Sequence, residues 1–354
     1  MAKPEPTLHD AILIQASACE ALGSAFHGTI LRALADNLAT GGIVHELTAH
    51  LDLRPGRDAV PLRIIGAVHR EVLAGRAPTL AAHFPSVGGT PGPTLVKEYL
   101  EVLGSRREAI IDGLGRTVQT NEVGRTTMLV TGLSHFAREF GVDDVHLREV
   151  GSSCGLNLLV DKFFFAVGGA TAGDPHSIVR FEDDAWGQPR VDIRGFPRVA
   201  SRAGCDIAPL DAHDTEDRLT LLSFVWPDQE QRFVRLRGAL DIAAVDPAFQ
   251  QPEAADAAEW INRQLGDIAA DEPVVVFHSI VWQYFSQETK DNFRSALQDH
   301  VARRSAPTAW LRMEPAGAVA DLQITTWNDG SIVDSDVALA TSTYHGMSTR
   351  SQRE

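Results

Sequence analysis

The chain has 354 residues, which at roughly 150 residues per domain predicts two domains or one enlarged one. Hydrophobic residues make up 44% and charged residues 22%, the balance of a soluble globular protein, and no apolar run approaches the roughly 20 residues that span a bilayer. The formal charge of -15 works against a phosphate backbone as partner, so neither nucleic acid nor membrane is expected.

The first residues, MAKPEPTLHDAILIQ, place prolines and acidic residues where a signal peptide needs a basic segment and a long apolar stretch; a cytoplasmic protein is the expectation. From Ala11 to Leu38, apolar residues recur at three- and four-residue spacing, the mark of a buried helical stripe. The loop Phe84 to Pro93 separates this from a second strong helical pattern, Leu95 to Leu114, and a further helix is predicted from about Glu122 to Phe140. Then the pattern changes. Val145 to Gly151 reads as a buried strand, with a helix following over Cys154 to Phe165. Ser177 to Phe196 alternates apolar residues with polar turns and predicts a small β-hairpin insertion, placed at about 166–200. Helices are predicted after Asp214, which suits an N-cap, and over Gln231 to Ala243. Pro273 to Trp282 opens as a central parallel strand. Ser286 begins an amphipathic helix, and Thr308 to Pro315 is another short strand. Two last strands flank Asn328-Asp329-Gly330, a hairpin signature.

Strands alternating with helices imply a mostly parallel sheet with crossover helices. The predicted architecture is therefore an all-helical region over 1–118, followed by an α/β domain over 119–354. A closing hairpin is foreign to nicotinamide-binding Rossmann domains. The Rossmann-like methyltransferase core ends with one, inserting its last strand antiparallel.

The strand-to-helix turn at Glu149-x-Gly151-x-x-x-Gly155 carries glycines where backbone turns sharply and where a ligand approaches it; the following helix would offer N–H groups to a carboxylate. Asp206 stands at the end of the second predicted strand, where an acid can accept ribose hydroxyls; a plain turn aspartate is the alternative. Asp256 precedes a short helix, either reading an adenine amino group or acting as an N-cap. His278 and Ser279, then Arg312 and Glu314, end later strands, where a histidine and a glutamate suit proton transfer. Trp226, Trp282 and Tyr284 are candidate pocket walls, and ordinary packing is their alternative. Cys19, Cys154 and Cys205 form no C-x-x-C pair or disulfide framework, and the thirteen histidines lack H-x-x-x-H spacing, so no metal is expected.

Together, TNEVGR (Thr120 to Arg125), EVGSSCGLNLLVDKF, SRAGCDIAPLD, LLSFVWPDQEQRFVRLRGALDIA, DAAEW, VVFHSIVWQY, AWLRMEP and YHG (Tyr344 to Gly346) resemble a bacterial domain-of-unknown-function family with a methyltransferase-like core. The resemblance implies S-adenosylmethionine as cofactor. By position it implies that Glu149, Gly151, Ser153 and Gly155 form the first methyltransferase motif, with Ser153 replacing its middle glycine. Asp206 would be the ribose acid and Asp256 the adenine-side acid. Asn121 and Arg125 would join the cofactor site, and His345 the substrate pocket with Trp226, Trp282, Tyr284 and Arg312. No N-P-P-Y signature stands at His278, so methylation of a base nitrogen is not indicated.

The preferred expectation is methyl transfer from S-adenosylmethionine to a small molecule, with His278 as base and Glu314 orienting it. The first rival is a serine hydrolase, because Gly151 to Gly155 also satisfies G-x-S-x-G around Ser153, with Asp206 or Asp256 and then His278 or His345 completing the order. The second is a degenerate cofactor fold kept as a non-catalytic binding module.

Overall fold

A computed structural model of the chain describes residues 5–188, 190–346 and 350–352. The chain divides into two compact units. One comprises the residues up to Thr120 together with Thr215–Val234, and the other comprises Asn121–Asp214 and Arg235 onward.

The first unit is helical. Its helices are α1 (Leu8–Ala21), α2 (Ala25–Ala39), α3 (Ile43–Thr48), α4 (Val60–Leu73), α5 (Pro78–Ala81), α6 (Leu95–Ser105) and α7 (Arg107–Gly115). Thr7 and Ser24 cap the first two by accepting from the amides of Asp10 and His27. The apolar stripes read from the sequence meet in one core containing Ile12, Ile30, Leu34, Val68, Leu103 and Trp226. Trp226 comes from the returning segment, which the sequence reading left in the α/β domain.

The second unit opens with α8 (Thr126–Phe140) and β1 (Asp144–Val150). A small sheet follows, of β2 (Phe164–Val167), β3 (Ala170–Gly173) and β4 (Arg180–Phe181), and then β5 (Arg198–Asp206). Here the structure corrects two expectations. Leu156–Lys162 is a 3-10 helix, after which the phenylalanines enter β2. The hairpin is β2–β3, earlier than predicted; among the described residues of the stretch Ser177 to Phe196 only β4 is strand, paired parallel to β2. The cause is aromatic packing: Phe165 stacks on Phe181 at 5.2 Å and 8°, and Trp186 closes on Phe165.

The chain continues through α9 (Thr215–Ser223), directly after Asp214, and α10 (Glu230–Val245). Next come β6 (Glu253–Ala254), α11 (Ala257–Gly266), β7 (Val274–Ser279), α12 (Gln287–Val301), β8 (Thr308–Ala316), β9 (Val319–Asn328), β10 (Ser331–Ser342) and β11 (Arg350–Ser351). The main sheet has the order β11-β10-β9-β8-β7-β1-β5-β6, parallel from β6 to β8 and antiparallel beyond. All residues of β7 are buried, as a parallel strand covered on both faces requires. One face packs on α11 and α12 through Trp260, Phe293 and Leu297; on the other, Leu311 lies against Gly132 of α8.

The predicted hairpin forms around Asp329 and Gly330, both with positive φ. Its last strand is not inserted into the sheet. Only Gly317 and Ala318 separate β8 from β9, so β9 must lie beside β8, and β10 adds at the edge. No helix among the described residues is long and apolar enough to cross a membrane.

Candidate functional site

The sheet order runs from β1 outward through β5 and β6, then returns to β7 and β8 on the other side. The end of β1 is thus a topological switch point, the place where open parallel sheets leave a crevice for ligands. The loop that follows is held by protein atoms. Gly151 and Gly155 have φ of +69 and +77, and a Cβ there would come within 2.5 Å of Val281 and 2.9 Å of Pro252. Ser153 has φ 52 and donates its amide to Asp206 Oδ2 at 2.9 Å. The Gly155 amide donates to Ser152 O (2.7 Å), and the Leu156 amide to Asn121 Oδ1 (2.8 Å).

These bonds occupy three amides of the predicted cradle for a carboxylate. The segment after Gly155 is a short 3-10 helix, and its first amide is already taken by Asn121. Asn121 is therefore a support of the loop. Arg125 donates to the Ser279 carbonyl (3.2 Å) and the Tyr344 carbonyl (3.1 Å), and His345 lies 3.5 Å from Glu122. The stretches TNEVGR and YHG thus meet at the end of β7. Glu149 is buried, and Asn157 donates to its Oε1 at 3.3 Å, while its Oε2 has no hydrogen-bond partner among the described residues. Burial raises the Glu149 pKa to about 8, against the opposing effects of the Asn157 hydrogen bond and the Arg125 charge.

A cavity of about 230 Å³ opens at the carboxyl ends of β1, β5 and β6. Gly151, Asp206, Ile207, Asp256, Tyr284 and Phe285 line it. Asp206 also accepts from the Ala208 amide at 3.0 Å. Asp256 is the N-cap of α11, its Oδ1 accepting from the Ala258 amide at 2.8 Å, and its Oδ2 accepts from Thr289 Oγ1 at 3.3 Å. Both acids hold local backbone, yet an ionised carboxylate has about four lone-pair sites, so each keeps acceptor capacity toward the cavity. Ile207 and Tyr284 are 81% and 75% exposed, which leaves an apolar and an aromatic side chain open at its mouth. Burial pushes the Cys205 thiol pKa well up, which removes it as a nucleophile.

His278, Glu314, Trp282 and Arg312 line a different cavity, of about 430 Å³, shared with Trp310 and Trp327. The fully buried His278 donates through Nδ1 to Glu314 Oε1 at 2.7 Å, and the same oxygen accepts the amides of Val281 (3.1 Å) and Trp282 (3.2 Å). The His278 ring stacks on Trp282 at 5.0 Å and 12°. Val281 and Tyr284 line the smaller cavity and Trp282 the larger, so one turn of chain separates them. Trp226 lines neither cavity; it is buried in the helical unit, edge-on to His27 at 5.8 Å.

A family model described as an uncharacterized protein conserved in bacteria, DUF2332, matches residues 9–350. The chain belongs to the DUF2332 family. No curated protein and no solved structure matches it.

Sequence reasoning brought the DUF2332 candidates to the correct strand ends but treated them as one site. It also missed Ile207, Thr289, Trp310 and Trp327. Trp310 was within reach: it lies two residues before Arg312 and four before Glu314, on the same face of β8 by strand alternation. Ile207 follows Asp206 directly, but nothing local signals that it faces a cavity.

Proposed function

We propose that this protein is an S-adenosylmethionine-dependent methyltransferase acting on a small molecule. The reading rests on the cavity at the switch point, where Asp206 and Asp256 follow successive strands and share a lining with Ile207, Tyr284 and Phe285. Its volume of about 230 Å³ is below the roughly 300–1,000 Å³ of sites for whole drug-sized ligands, and suits the nucleoside half of the cofactor. Asp206 would accept the ribose hydroxyls and Asp256 the adenine amino group. The orphaned Glu149 Oε2 would become a buried acceptor for a cofactor ammonium group if that cation drew the carboxyl into its ionised form.

Bound there, S-adenosylmethionine would supply a methyl group already activated by its sulfonium. The protein's own tasks are to align the acceptor, exclude water and take up its proton. The last task would fall to His278, which lines the larger cavity: Glu314 holds Nδ1–H, which leaves Nε2 of the neutral ring as the acceptor. Calorimetry with S-adenosylmethionine and its demethylated product tests the reading. Saturable binding of both is expected, and no heat from either at millimolar concentration would sink it.

One observation favours a non-catalytic binding module instead: the amides of Ser153, Gly155 and Leu156 are committed within the protein. Cofactor binding without turnover over a broad panel of acceptors is the outcome that reading requires.

A further inference from the structure

The larger cavity has a chemistry of its own. Its volume of about 430 Å³ falls within the range of roughly 300–1,000 Å³ typical of small-molecule sites. Three indoles, Trp282, Trp310 and Trp327, face it. Indole faces and edges favour flat, aromatic occupants packed at ring-to-ring distance.

Three buried polar atoms in the same lining lack a hydrogen-bond partner among the described residues: His278 Nε2, Trp310 Nε1 and Glu314 Oε2. His278 is 0% exposed and Trp310 8% exposed, so neither group is simply hydrated at the surface. A carboxylate only accepts, so the 2.7 Å bond to Glu314 places the hydrogen of the neutral imidazole on Nδ1, and Nε2 of that tautomer is an acceptor. Trp310 Nε1 is only a donor. Buried polar groups are normally satisfied, and a lining that keeps two acceptors and one donor unpaired calls for a ligand that both donates and accepts.

The charges of the lining cancel. Arg294 and Arg312 stand against Glu314 and Asp336, and Arg312 is already paired with Asp336 at 2.7 Å while lying over the Trp310 ring at 4.3 Å. Arg294 is likewise paired with Asp291 at 3.3 Å, so an anionic occupant would gain no uncompensated cation, and a neutral hydrogen-bond donor suffices for Glu314 Oε2.

We infer that this cavity binds a neutral, planar aromatic molecule carrying an O–H or N–H group, which donates to His278 Nε2 while an acceptor on the ligand takes the Trp310 N–H. The inference deepens the methyltransferase reading by naming the class of its acceptor, and rests on that reading only for its catalytic meaning. As a binding site it stands without the cofactor.

The test is calorimetry of the full chain, without cofactor, with 2-naphthol and with 2-methoxynaphthalene, which has the same ring but no donor. Saturable 2-naphthol binding is expected, with the ether about tenfold weaker. Trp310→Phe, which keeps an aromatic ring but removes the N–H, is expected to weaken 2-naphthol several-fold. Asp206→Asn, in the other cavity, is expected to bind it as the parent chain does. Absence of saturable binding, equal affinity for the two naphthalenes, or loss in Asp206→Asn with Trp310→Phe unaffected would each overturn the inference. Naphthol binding by a chain that ignores S-adenosylmethionine would support this site and remove the methyltransferase reading. Cofactor binding without naphthol binding would do the reverse.

Discussion

His278 Nδ1 and Glu314 Oε1 lie 2.7 Å apart across the adjacent parallel strands β7 and β8. That single oxygen also receives the amides that begin the turn between the two cavities, so Glu314 orients the imidazole and anchors the turn together. Truncation leaves the buried ring and two amides without an acceptor. Glu314→Ala is therefore expected to cost about 2–4 kcal/mol of stability, and Glu314→Gln, which keeps a carbonyl acceptor, distinctly less. Denaturant unfolding of both variants checks this, and equal losses would show that the acceptor is not what matters.

Glu149 makes stability depend on pH with a defined sign. Burial raises its pKa from an ordinary value of 4.5 to about 8 in the folded chain. Between those values the folded protein keeps a proton that the unfolded chain has released. The unfolded state then binds fewer protons, so stability falls as pH rises from about 4.5 to about 8 and is level above. Glu149→Gln has no proton to lose. Its advantage over the parent is expected to grow across that window to a few kcal/mol, since one pKa unit corresponds to about 1.4 kcal/mol. Unfolding midpoints for the two chains at pH 5, 6, 7 and 8 read the trend, and a pH-independent difference would refute it.

Local pattern carried much of the fold. The β-branched run of β7, the Ser286 cap of α12 and the Asp329-Gly330 hairpin are each decided by residues a few positions apart, and each is found. Phe163 to Phe165 was not legible in this way. It extends an apolar run that reads as helix, and turns into strand at Phe164 because Phe165 pairs with Ala172 and stacks on Phe181. The return of residues 215–234 to the helical unit is likewise non-local. For the site, sequence order gave the strand ends but not the faces. Whether His278 shares a cavity with Asp206 depends on strand alternation and on the Trp282–Tyr284 turn, neither of which a motif encodes.

Asp256 has two separable roles. Its Oδ1 caps α11 and its carboxylate lines the smaller cavity. Serine is an equally good N-cap, so Asp256→Ser is expected to change stability by less than about 0.5 kcal/mol, whereas Asp256→Ala is expected to lose about 1 kcal/mol. If the carboxylate reads the nucleoside, both variants weaken S-adenosylmethionine about tenfold or more, as loss of a charged hydrogen-bond partner predicts. A serine variant with full affinity would leave Asp256 as a cap alone.

Ser153 decides the hydrolase alternative. Its positive φ is a conformation a nucleophile elbow would share. Three of the four partners expected for it, Asp206, Asp256 and His278, are engaged elsewhere. Asp206 accepts from the amides of Ser153 and Ala208, Asp256 from those of α11 and from Thr289, and neither bonds a histidine ring. His278 is bound to Glu314, and its Nε2 meets no serine. With Asp206, Asp256 and His278 engaged elsewhere, they do not form the relay that activates a serine nucleophile. A fluorophosphonate probe is therefore expected to leave the chain unlabelled, and the parent and Ser153→Ala should be indistinguishable by intact mass. Labelling that disappears in Ser153→Ala would restore the hydrolase and displace the cofactor from the turn after β1.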